Sequence, residues 1–131
     1  MSPTIFIQIA AISGFLAVAL GAFGAHALKA KLTPAMLDVY QTAVLYHFIH
    51  TLALFGVALL MLHLGKSTWL LTSACAFVAG LLMFCLSLYG LSLSGIKILG
   101  AITPIGGVCF MIGWALLLAA GARHQVNQDR G

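Results

Sequence analysis

The chain has 131 residues, of which 63% are hydrophobic and 6% charged, with a formal net charge of +4 at neutral pH. An ordinary soluble domain carries about a quarter charged residues, so a fold of this size surrounded by water is excluded and the solvent must be lipid. The six basic residues are scattered singly, at stretch ends and in the tail, which suits lipid headgroups and excludes the continuous phosphate-binding face that a nucleic-acid partner needs.

Four apolar stretches, Ile5–Ala27, Ala43–Leu64, Thr68–Leu91 and Ile98–Gly121, contain no Asp, Glu, Lys or Arg. Each is long enough to cross a bilayer core as a helix, which takes about 20 residues. They are apolar on every face, whereas barrel strands alternate polar and apolar positions. The predicted fold is an all-α integral membrane protein. Four transmembrane helices form one bundle and a single domain over residues 1–131, ending in a short polar tail at 122–131.

The first stretch ends in Ala25-His26-Ala27, which resembles a small-residue cleavage site. No Lys or Arg precedes it, and it is longer than the roughly 7–15-residue core of a secretory signal. A retained helix is expected. Its small residues Ala10, Gly14, Ala17, Gly21 and Gly24 recur at steps of three or four. Lipid gives helices no hydrophobic drive to associate, so close backbone contact through such residues takes over.

Thr33-Pro34 reads as the start of helix two, a hydroxyl cap followed by proline in the first turn. From Pro34 to Leu64 the helix would run roughly 45 Å, so Asp38 and Gln41 should lie in the headgroup layer. Helix three offers Ala76 and Gly80 as a small-xxx-small pair. Its Ser87, Ser92 and Ser94 are expected to bond to their own helix. Cys75, Cys85 and Cys109 all lie in apolar stretches without C-x-x-C spacing and read as packing residues. Helix four begins either near Ile98 or at Thr103-Pro104. In both cases Gly106-Gly107 predicts a locally irregular backbone, and Gly106, Gly113 and Ala120 recur seven apart. The glycines expected to carry helix packing are thus Gly14, Gly21, Gly24, Gly80, Gly106, Gly107 and Gly113.

The polar residues within the apolar stretches raise the question of function. Asp38, Thr42, Tyr46 and His50 follow an i, i+4, i+8, i+12 ladder on helix two. With His26 and Gln41 they form a candidate intramembrane cluster. Three readings compete. His26, His47 and His50 are weak metal or haem ligands, because no carboxylate or thiol stands with them at equal depth. The ladder could pass protons or line a path for a small solute, although such relays normally include a deeper carboxylate. The simplest reading has these groups hydrogen-bonding across helices and anchoring the interface. No metal and no cofactor is expected. Enzymatic motifs are absent: the chain has two acidic residues and no nucleophile elbow, H-E-x-x-H or glycine-rich phosphate loop.

With four spans, both termini lie on one side with Lys66, Arg123 and Arg130, opposite Lys29, Lys31 and Lys97. The positive-inside rule therefore ties. His124 and the polar tail favour cytoplasmic termini.

The stretches Ala11-Ile-Ser-Gly-Phe15, Ala19-Leu-Gly-Ala-Phe-Gly-Ala-His26, Gln41-Thr42, His50-Thr-Leu-Ala53, Ser87-Leu-Tyr89, Thr103-Pro-Ile-Gly-Gly-Val108 and Gly113-Trp-Ala115 carry a resemblance over essentially the whole chain. They are similar to a family of small bacterial inner-membrane proteins classed as a domain of unknown function, with mitochondrial relatives in eukaryotes. The resemblance implies a four-helix inner-membrane protein and brings no activity, substrate or cofactor. His26 and His50 fit the shared pattern, which does not require histidine at position 47; the resemblance thus weakens a His47–His50 metal pair and implies His26 with His50 as the better pair for a shared site. The expected function is that of a non-enzymatic accessory or structural component that self-associates or joins a larger membrane complex. The runner-up is a small permease or proton-linked transporter working along helix two.

Overall fold

The computed structural model describes residues 1–65 and 67–130; Lys66, one of the basic residues on the termini side, lies outside them. Among the described residues four helices are each long and apolar enough to cross a membrane. They are α1 (Pro3–Leu28), α2 (Pro34–Leu64), α3 (Thr68–Ser94) and α4 (Leu99–Gln128).

The first three starts are made by hydroxyl caps that satisfy a free first-turn amide. Ser2 accepts from Thr4, Thr33 from Met36 and Ser67 from Leu70. Proline follows directly in α1 and α2, where its missing N–H costs nothing. Gly95 closes α3 with φ +72, the left-handed cap that disfavours a side chain.

Helix four begins at Leu99 and stays α-helical through Pro104, Gly106 and Gly107. The irregular backbone expected there is therefore absent. Irregularity falls instead in α1 and α3, where Gly24–Leu28 and Leu81–Cys85 are π-helical. Each π turn widens its helix locally and loosens the regular ladder. The first lies beside Tyr40, whose hydroxyl donates to the Leu20 carbonyl at 2.6 Å. Tyr40→Phe deletes that one bond and should lower unfolding free energy by about 1 kcal/mol, read by chemical denaturation in mixed micelles. The polar residues from 122 onward, expected as a tail, continue α4 to Gln128. There Gln128 and His124 pair one turn apart at 3.1 Å.

The helices are laid side by side in chain order: α1 packs on α2, α2 on α3, and α3 on α4. Two seams are built from small residues in a constant antiparallel register. Along α1–α2, Gly14 faces Thr51, Gly21 faces Val44, and Gly24 lies under the Tyr40 ring. Along α3–α4 the fit is reciprocal. Gly80 receives the Phe110 ring, Gly113 receives Phe77, and Gly106 lies against the backbone of Phe84. Gly107 is looser, with Phe84 ring atoms at ordinary contact distance. Ser73 donates to the Gly113 carbonyl at 2.7 Å, a bond that only close backbones permit. Ser87, Ser92 and Ser94 bond to their own helix as expected, and Ser87 also reaches Thr103 at 2.7 Å. The three cysteines are free thiols, with Cys85 buried.

Candidate functional site

Ser13, Thr51, Tyr89 and Trp114 gather around two histidines one turn apart on α2. His47 faces α1 and α3. Its Nε2 lies 3.0 Å from Ser13 Oγ on α1, and its Nδ1 lies 3.1 Å from the Tyr89 hydroxyl on α3. Ser13 in turn lies 2.6 Å from Thr51 Oγ1. The result is a buried chain, Thr51–Ser13–His47–Tyr89, that ties three helices together. An imidazole with one N–H can donate to one neighbour and accept from the other, so hydroxyls on both sides satisfy it in either tautomer. Tyr40 adds an edge-on ring contact to Tyr89 at 5.2 Å between centroids.

His50 faces the other way, towards α3 and α4. Its ring lies on Phe110 with centroids 3.5 Å apart and planes 12° apart. The Trp114 indole N–H donates to His50 Nε2 at 3.2 Å. A carbonyl only accepts, so Nδ1–H donates to the Tyr46 carbonyl at 2.9 Å. Both nitrogens are thereby occupied and the tautomer is set. Tyr46 stacks on Phe84, and Phe77 meets Trp114 edge-on, completing an aromatic cluster where α2, α3 and α4 meet.

The candidate ladder does not converge on one place. Asp38, Gln41, Thr42 and Tyr46 are exposed at the surface of the helices, and His50 alone of that face is buried. Thr42 bonds back to the Asp38 carbonyl of its own helix. His26 is exposed in the π turn of α1. Because Gly24 faces Tyr40, His26 lies near the Asp38 end of α2. His50 is twelve residues further along, roughly 18 Å. His26 and His50 therefore do not share a site. Among the described residues no three His, Cys, Asp or Glu side chains come together as metal ligands.

Ser13, Thr51, Tyr89 and Trp114 lie in the stretches that carry the family resemblance but outside the candidate polar cluster, and His47 enters the sequence reading only as a ligand. A readable signal existed for part of this. His47 and Thr51 are i, i+4 on α2, and Ser13 sits within the small-residue stripe of α1. The contribution of Tyr89 depends on where the π turn of α3 points it, which no local pattern announces.

An apolar cleft of about 240 Å³ opens between α1 and α3 and reaches Ser13 and His47 at its inner end. Its walls are aliphatic, including Ile9, Leu16, Leu82 and Leu86.

Fold and site together define a multi-span α-helical membrane protein organised around internally bonded polar residues. The family described as "Protein of unknown function (DUF423)" matches residues 20–107, and the chain belongs to it. It is 45% identical over 120 residues to the UPF0382 membrane protein YwdK of Bacillus subtilis, covering 92% of this chain and 98% of that one. It is 41% identical over 123 residues to the UPF0382 inner membrane protein YgdD of Escherichia coli K12, covering 94% and 93%. The UPF0382 membrane protein SERP0230 of Staphylococcus epidermidis is 39% identical over 120 residues, covering 88% of this chain and 93% of that one. No solved structure matches the chain.

Proposed function

We propose that this chain is a non-enzymatic structural or accessory component of the inner membrane, with cytoplasmic termini, that associates with further copies or with a larger membrane complex. The observation that carries this reading is the uneven burial of the four helices. Within the most apolar window of each span, 39% of α2 and 44% of α3 is buried, against 17% of α1 and 22% of α4. The outer two helices thus offer broad apolar faces, with Phe15, Met111 and Leu118 among the most exposed side chains. Meanwhile the buried polar side chains of the described residues all have hydrogen-bond partners within the chain. Such groups hold helices together. They leave α1 and α4 as the faces open to lipid or to a neighbour, and a neighbour would be held there by close packing, since lipid supplies no hydrophobic drive.

This reading is preferred to a solute path along α2 because Asp38, Gln41 and Thr42 lie on the outer surface. A conducting ladder would need to line an interior. The test is extraction in mild detergent followed by mass determination of the intact species. The expected result is an assembly larger than one chain; a lone chain with no co-purifying partner would overturn the proposal.

A further inference from the structure

At the termini side of the bundle, a recess of about 310 Å³ lies between the start of α3 and the end of α4. Leu64, Ser67, Trp69, Arg123, His124 and Asn127 line it. Trp69 belongs to the first turn of the apolar run of α3, and Arg123 follows the last apolar turn of α4. The recess therefore sits where hydrocarbon gives way to headgroups, the depth at which Trp and Arg are both favoured.

We infer that this recess binds the phosphate of an anionic phospholipid headgroup. The guanidinium of Arg123 lies 4.6 Å from the centroid of the Trp69 ring. Stacking on an aromatic face fixes the cation without consuming its N–H fork, which matches a phosphate in two bonds at once. Among the described residues no carboxylate is bonded to it. The chain has only two acidic residues, Asp38 at the opposite membrane face and Asp129 just past the end of α4, outside the lining of the recess.

The neighbours supply donors. Gln128 donates to His124 Nε2 at 3.1 Å, so the imidazole keeps its N–H on Nδ1. Ser67 Oγ accepts from the Leu70 amide at 3.4 Å, which leaves its hydroxyl proton free to donate. Asn127 adds an amide. The apolar wall at Leu64 and Ala120 continues into the bilayer, where the acyl chains of a lipid would run. A free phosphate has no use for that wall. Basic recesses between spans at the membrane surface are suited to headgroups in this way.

The full chain in mild detergent is titrated with phosphatidylglycerol or phosphatidylcholine of equal acyl length, and bound lipid is counted by mass of the intact complex. The unsubstituted chain should retain phosphatidylglycerol about tenfold more tightly than phosphatidylcholine. Arg123→Gln should erase that preference, Arg123→Lys should keep part of it, and Arg130→Gln in the tail should leave it intact. Equal retention of the two lipids by the unsubstituted chain overturns the proposal and needs no variant that might misfold. So does an equal loss in Arg130→Gln, which would indicate general attraction to basic charge. Displacement of phosphatidylglycerol by millimolar inorganic phosphate would assign the recess to a soluble anion and also overturn it.

Discussion

Alanine at Gly106 is expected to be among the most damaging single substitutions in this protein. A Cβ there would fall 2.7 Å from Phe84 Cα and as close to its Cβ. The obstacle is the backbone of α3, which cannot turn aside as a side-chain tip can. The two helices would have to separate, taking with them the Gly80–Phe110 and Gly113–Phe77 contacts above and below. Overpacking of this kind costs about 3 kcal/mol, measured as the shift in the unfolding midpoint in mixed micelles. Gly56→Ala supplies the opposite sign. It lies inside α2 with nothing within 4 Å of the added carbon, so only the gain in helix propensity remains, up to about 1 kcal/mol. Equal destabilisation by both would show that glycine is needed for some reason other than close approach.

His47→Leu should be the costliest histidine substitution. It removes the centre of the Thr51–Ser13–His47–Tyr89 chain, strands the Tyr89 hydroxyl within the membrane and leaves Ser13 with Thr51 alone. Stranding a buried polar group costs about 1–3 kcal/mol, and hydrogen bonds between membrane helices are individually modest, so a loss of about 2–3 kcal/mol is expected. His26→Ala, on an exposed side chain, should change stability by less than about 0.5 kcal/mol. A double-mutant cycle between Ser13→Ala and His47→Leu should show coupling of about 1 kcal/mol. Additive losses, or a His26→Ala loss as large as that of His47→Leu, would contradict the role given to His47.

Helix existence and the start of α2 were legible because they rest on strong local physics. An uncharged run of more than 20 residues leaves little alternative to a span, and Thr33-Pro34 is a cap followed by the one position where proline fits. The small residues of α1 could likewise be read as a seam, since spacing alone puts Gly14, Gly21 and Gly24 on one side. The polar residues were harder. Asp38, Thr42, Tyr46 and His50 share a face by spacing, but spacing does not reveal whether that face turns inward. It turns mostly outward. His47, three residues before His50, meets α1 and α3 because α2 lies between neighbours on both sides, a fact of tertiary placement. The π turns were invisible for a related reason. Gly106-Gly107 looked like the flexible point, yet close packing on Phe84 holds that region in regular helix, and the departures fall at Gly24–Leu28 and Leu81–Cys85.

Because each helix leans on the one synthesised just before it, the main seams close between consecutive spans. Contacts of this kind have short sequence separation and form quickly. Assembly can therefore follow translation, since the α1–α2 seam uses nothing that comes later in the chain. The final helix arrives last, seals the Trp114–His50 bond, and locks a bundle whose earlier joints are already made.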